Sequence, residues 1–130
     1  MERRSSKNLL ESYLDLADRT LGYAYSNLKE DMVRPAINSA YYSMVYSASA
    51  ALLKAGIKLP KTHSGLISMF NLYYIKTKKI DGKFSEYFSQ AFDARQKSAY
   101  SVLTEPDKKV AAALLSNAKE FVETMRNIIS

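Results

Sequence analysis

Apolar residues recur at three- and four-residue spacing along most of this chain, and nowhere do they alternate in the two-residue rhythm of a strand. In the first such stretch Leu9, Leu10, Tyr13, Leu14, Leu16, Ala17, Leu21, Tyr25 and Leu28 line one side of a helix expected over residues 6–28. Gly22 interrupts it at a cost of up to about 1 kcal/mol relative to alanine, which close packing there would offset. "KEDMVRP" breaks the pattern, and Pro35 fits the first turn of a second helix starting near residue 33 or 34. That helix runs to about residue 54, where Gly56 supplies a stop. Its core stripe is Ile37, Tyr41, Met44, Val45, Ala48 and Leu52. Ala36, Ala40, Ser43, Ser47 and Ala50 are small enough for another helix to approach closely, from this chain or from a second copy.

"GIKLPKTHSG" is a connection, and Thr62 is placed to cap a third helix over residues 63–76. "TKKIDGK" reads as a polar turn; both flanks have helical periodicity, so its Asp-Gly is not a hairpin signal. A fourth helix over residues 84–102 turns Phe84, Phe88, Ala91, Phe92, Ala99 and Val102 inward. "TEPDKK" then opens a fifth, with Thr104 as cap, Pro106 in the first turn and Asp107 three residues after the cap. Its apolar side is Val110, Ala113, Leu114, Ala118, Phe121, Val122, Met125, Ile128 and Ile129. The pattern predicts an all-α, up-and-down bundle of four to five helices, without repeats or linkers.

Composition narrows the class. A chain of 130 residues with 47% hydrophobic and 25% charged residues is expected to form a single domain, residues 1–130, around a real core. No window approaches the roughly 20 apolar residues of a membrane span, so no membrane partner is expected. The early arginines run into acidic residues, the pattern of an amphipathic helix and not of a signal peptide, so a soluble cytoplasmic protein is expected. Without cysteine, disulfides and thiolate metal sites are excluded; a single histidine argues against a His-rich metal site, and no cofactor is expected. The net charge of +6 favours an anionic partner such as RNA, a nucleotide or an acidic protein surface.

Three places carry candidate chemistry. The second helix has a polar stripe of Asn38, Tyr42 and Ser49, with Tyr46 beside it. Such tyrosines stack on bases and donate hydrogen bonds, or pack a bundle with their hydroxyls at the rim. In "PKTHSG", Lys61 and His63 stand where backbone N–H groups attract anions, and histidine moves protons near neutral pH. The alternative is a first-turn residue packed on a neighbouring helix. In "AFDARQKSAY", Asp93 and Lys97 are spaced to pair on one face. Arg95 and Tyr100 lie about 140° apart around the helix, so one chain presents them on different flanks. Two such helices facing each other across a twofold axis would bring both into one cleft. A solvated outer face accounts for the same charges.

Taken in order, "AINSAYYSMVYSASAALL", "KLPKTHSGLISMF" and "FDARQKSAY" resemble a HEPN domain of the small stand-alone prokaryotic type, over roughly residues 6–129. The resemblance implies a four- or five-helix bundle that forms a homodimer. Many relatives are metal-independent ribonucleases that use an arginine followed after four to six residues by a histidine, in a cleft between two protomers. Many are encoded beside a minimal nucleotidyltransferase as toxin–antitoxin-like pairs. Arg95 matches the motif arginine, and Tyr100 stands at the histidine position. Gln96 follows the arginine where Asn, Asp or His is frequent; Ala99, Ser39 and Val102 replace an aspartate, an arginine and a modifiable tyrosine found in some relatives. A tyrosine with its ordinary pKa near 10 is a poor proton shuttle at pH 7. The expected function is therefore an RNA- or nucleotide-binding component of a nucleotidyltransferase-linked toxin–antitoxin-type pair, with catalysis absent or weak. Its catalytic-type candidates are Arg95, Tyr100 and His63; the binding candidates are Lys61, Asn38, Tyr42, Asp93 and Lys97. The alternatives are a metal-independent ribonuclease toxin using Arg95 with Tyr100 or His63, and a structural dimeric bundle in which Arg95 is simply solvated.

Overall fold

A computed structural model describes residues 2–100 and 105–130, with side chains from residue 8 onward. Five helices and no strand are present among the described residues: α1 (Glu2–Lys29), α2 (Val33–Lys54), α3 (His63–Phe70), α4 (Lys83–Tyr100) and α5 (Lys108–Ile129). The helical periodicity is thus realised as an all-α bundle. α2 is its centre and touches each of the other four. A helix apolar on nearly all sides has to be surrounded in this way; Tyr41, Met44, Ala48 and Leu52 are fully buried, and so are the small Ala36, Ala40, Ser43 and Ser47. A second aromatic layer lies where α3, α4 and α5 meet: the Phe121 ring is 5.4 Å from Phe70, 6.1 Å from Phe84 and 5.2 Å from Phe88.

Local chemistry sets most boundaries. Pro35 occupies the first turn of α2, where a missing N–H costs no intrahelical bond. α2 ends as its sequence suggests: Gly56 has φ +78°, its N–H bonds Leu53 O at 3.0 Å, and Ile57 N bonds Leu52 O at 3.0 Å. Thr62 caps α3, its hydroxyl accepting from Gly65 N at 3.0 Å. Gly65 is needed there, since a Cβ would lie 2.9 Å from Thr62 Oγ1 and 3.0 Å from Pro60 Cβ.

Several expectations are corrected. α3 does not continue as an α-helix to residue 76; it passes into a π-helical turn, Asn71–Ile75, closed by Lys76 N on Asn71 O at 2.8 Å. The four-residue spacing of Leu66, Phe70 and Tyr74 fits either winding, so the pattern does not separate them. In "TKKIDGK" the left-handed residue is Lys78, at φ +60°, and Asp81 accepts from Lys83 N at 2.8 Å to open α4. Asp107 caps α5, accepting from Lys109 N at 2.8 Å. The expected cap Thr104, and Val102, lie outside the described residues. Leu9, Tyr25, Ala99, Val110 and Ala113, expected inward, are exposed. Gly22 is exposed too, and a Cβ there would meet nothing within 4 Å, so it serves no close approach.

Arg34 ties the start of α2 to the end of α4. It donates to the Ser98 carbonyl, one of the last-turn carbonyls a helix leaves without an internal partner, and lies 3.8 Å from Glu105. That tie fixes the part of α4 carrying the arginine discussed next.

Candidate functional site

Arg95 projects from α4 across the bundle onto α2. Its Nε donates a long hydrogen bond, 3.5 Å, to Asn38 Oδ1, and its guanidinium carbon lies 5.7 Å from the Tyr42 ring centre. Asn38 and Tyr42 are one turn apart on α2, which is why one guanidinium reaches both. His63, first residue of α3, packs on the same group: its ring is 5.5 Å from Tyr42 and 5.5 Å from Tyr41. Thr62, as cap, sets that position. Three helices therefore converge, and Arg95 and His63 both pack on one tyrosine ring. Among the described residues no carboxylate pairs with Arg95, and the cation is only half-buried. A cation held by an amide oxygen and an aromatic face keeps its charge uncompensated for an incoming anion.

The tyrosines continue away from this point. Tyr46 lies 5.9 Å from Tyr42 and 6.2 Å from Tyr13 of α1, the last pair stacked at 30°. All three are half-buried, with packing between them that uses part of each ring. Ser49, expected in the polar stripe, is instead buried and donates to Val45 O at 2.8 Å, a local bond that removes it from the surface.

The other candidates are elsewhere. Tyr100 ends α4 at 80% exposure, on a different flank from Arg95 as helical geometry requires. Lys61 is exposed two residues before His63. Asp93 and Lys97 form no ion pair with each other; both line a groove of about 720 Å³ between α4 and α5, with Ile37 and Leu114 among its apolar walls. An exposed pair at four-residue spacing is worth only a few tenths of a kcal/mol, so its absence here costs little, although Asp15 and Arg19 do pair at that spacing, 3.2 Å apart. Among the described residues no group of three or more acidic, histidine or cysteine side chains comes together as metal ligands would. No described helix is long and apolar enough to cross a membrane.

The spacing puts Tyr41 in the core stripe, and it is fully buried; yet its ring also abuts His63 and it feels the charge of Arg95. The only sequence signal for this is a hydroxyl-bearing residue at a core position next to Tyr42. Burial, followed by the neighbouring Tyr42 and opposed by Arg95, pushes the Tyr41 hydroxyl well above its ordinary value. Burial likewise raises Tyr46 and Tyr74. A pKa raised on folding favours the protonated form of the native state, so this stability is present below the unfolded value near 10 and is lost as pH rises through the folded values. We therefore expect alkaline unfolding to begin above about pH 10. Absorbance of tyrosinate at 295 nm should show part of the ten tyrosines ionising only together with loss of helical circular dichroism.

Comparison with known sequences bears on this arrangement. The HEPN domain profile matches residues 10–128. The chain is 33% identical to a Methanocaldococcus jannaschii protein whose name describes a candidate toxin, over 95% of this chain and 84% of that one. It is 27% identical to a UPF0332 protein of Thermotoga maritima, over 95% and 92% of the two chains. With a UPF0332 protein of Pyrococcus horikoshii the identity is 30%, over 81% of this chain and 73% of the relative.

Proposed function

Because the chain belongs to the HEPN family, we propose that it is a toxin-type component that binds RNA at the cluster of Asn38, Tyr42, His63 and Arg95. The observation that carries this is Arg95, a cation without a carboxylate partner among the described residues, held against Tyr42 with His63 on the same ring. A phosphate offers the charge that Arg95 lacks, and half-buried tyrosines beside it offer faces and hydroxyls to unpaired bases. The net charge of +6 assists the encounter. The toxin designation of the Methanocaldococcus relative supports a place in a two-component pair. The partner of this reading is a nucleotidyltransferase-type protein, and the working form is a homodimer in which Tyr100 approaches the cluster from a second copy, while Lys61 stands beside His63 at the start of its own α3. The test is retardation of mixed RNA in EDTA by the wild type and by Arg95→Ala, with the same samples inspected for cleavage.

The place of His63 favours a second reading, metal-independent cleavage. In that chemistry Arg95 steadies the phosphate, and the imidazole takes the proton of the 2′-hydroxyl or gives one to the leaving oxygen. If so, cleavage persists in EDTA, survives Tyr100→Phe and falls by about a hundredfold or more in His63→Ala, the usual contribution of a general acid or base. RNA retarded but uncut by the wild type eliminates this reading and leaves the binding one.

A further inference from the structure

Among the described residues, side chains that bury hydrogen-bonding atoms nearly always find a partner. Tyr74 donates to Ala51 O at 2.5 Å, and the hydroxyls of Ser43, Ser47 and Ser49 to carbonyls of their own helix. Tyr41 does not. It is fully buried, and its hydroxyl has no hydrogen-bond partner among the described residues. Only one other described side-chain atom shares that condition, Asn71 Oδ1 in the π-helical turn. Leaving a buried hydroxyl unpaired is costly, and phenylalanine would fill the same space without the cost.

The surroundings of Tyr41 give that hydroxyl a use. Its ring lies 5.2 Å from Tyr42 and 5.5 Å from His63, two rings of the cluster, and 5.8 Å from Phe92 and 6.2 Å from Phe88 of α4. The Arg95 guanidinium lies on Tyr42, the chain neighbour of Tyr41. We propose that Tyr41 is a binding residue whose hydroxyl donates to a phosphate oxygen of the ligand drawn in by Arg95. This rests on the RNA-binding reading and names the group that completes the site. Arg95 is held by a single long bond to Asn38 and by the face of Tyr42. An incoming phosphate that draws the guanidinium off these two neighbours also has to open the packing of Tyr42 and His63 on Tyr41 to reach the buried hydroxyl. A tyrosine hydroxyl is protonated near neutral pH, so it acts as a donor to the anion. The unpaired hydroxyl is then a stability sacrifice in the free protein that the complex recovers.

Tyr41→Phe tests this, because stability and binding should move in opposite directions. Full-length wild type, Tyr41→Phe and Arg95→Ala would be compared by thermal unfolding and by titration of a fluorescent single-stranded RNA oligonucleotide in EDTA, with uridine monophosphate as a second probe. The expected result is an unchanged or higher Tm for Tyr41→Phe together with about tenfold to a hundredfold weaker RNA binding, the size of one hydrogen bond to a charged group. A similar loss with uridine monophosphate assigns the hydroxyl to a single phosphate; loss with RNA alone assigns it to the phosphodiester chain. Unchanged RNA affinity in Tyr41→Phe, with Arg95→Ala still disruptive, overturns the proposal and leaves the RNA-binding reading in place. A lower Tm with intact affinity also overturns it, because the hydroxyl then serves the free protein. RNA that the wild type fails to hold, or holds as well after both substitutions, overturns the two together.

Discussion

Arg95→Ala should weaken binding of single-stranded RNA by about tenfold to a hundredfold, the range of a charge-assisted hydrogen bond worth about 1.5–3 kcal/mol. That size follows from the way the side chain is held. In the free protein it has one 3.5 Å bond to Asn38 Oδ1 and the face of Tyr42, and both leave the positive charge uncompensated. The same substitution should change folding stability little, since the side chain is half-buried and its bond is long. The salt dependence should move with the affinity: for every phosphate of a single strand that the variant no longer neutralises, the slope of log K against log salt becomes shallower by about 0.7. Lys97 provides the control. It carries the same charge on the same helix but lines the groove between α4 and α5. Lys97→Ala should therefore cost clearly less affinity than Arg95→Ala. Equal losses from the two would reduce the cluster to a share of the overall positive field, and fluorescence titrations at two salt concentrations separate these outcomes.

Phe121→Ala should destabilise the fold by about 3–5 kcal/mol, the cost of emptying a large aromatic site that cannot collapse. Phe121 is fully buried and its ring meets those of Phe70, Phe84 and Phe88, one from α3 and two from α4. Its removal loosens both of those helices from α5 at once. For a chain of this size the Tm should fall by about 10–20 °C, read from circular dichroism at 222 nm. Val110→Ala is the contrasting case. Val110 is half exposed at the groove although its spacing puts it in the same apolar stripe, so its truncation should stay within about 0.5 kcal/mol. A Phe121→Ala protein that melts like the wild type would mean that the aromatic layer does not hold α3 and α4 to α5.

The helices themselves are legible in the sequence because their determinants are local. Period 3.6, Gly56 as a left-handed stop, Thr62 as a cap and Pro35 in a first turn each act within a few residues and do so whatever the rest of the chain does. Three ordered segments are also enough for the family, which the profile match over residues 10–128 establishes. Local signals fail where two outcomes share one pattern. Four-residue spacing serves both the α-helix and the π-helical turn at Asn71–Ile75. Thr104 and Asp107 are both capping residue types, and Asp107 bonds Lys109 N.

What lies outside the sequence pattern is the identity of each residue's neighbours. Asn38 and Arg95 are 57 residues apart, and only the packing of α4 on α2 brings them together; α3 adds His63 beside Tyr42. The same packing leaves Val110 and Ala113 at the rim of a groove and puts α5 opposite Asp93 and Lys97, which the helical period already turns away from Arg95. Period fixes the angle of a side chain around its own helix, but burial and charge compensation depend on which other helix covers that angle. That is why the residues themselves announce an arginine, a histidine and a row of tyrosines, whereas the bundle alone decides that Arg95 and His63 share Tyr42 and that the buried Tyr41 hydroxyl finds no partner among the described residues.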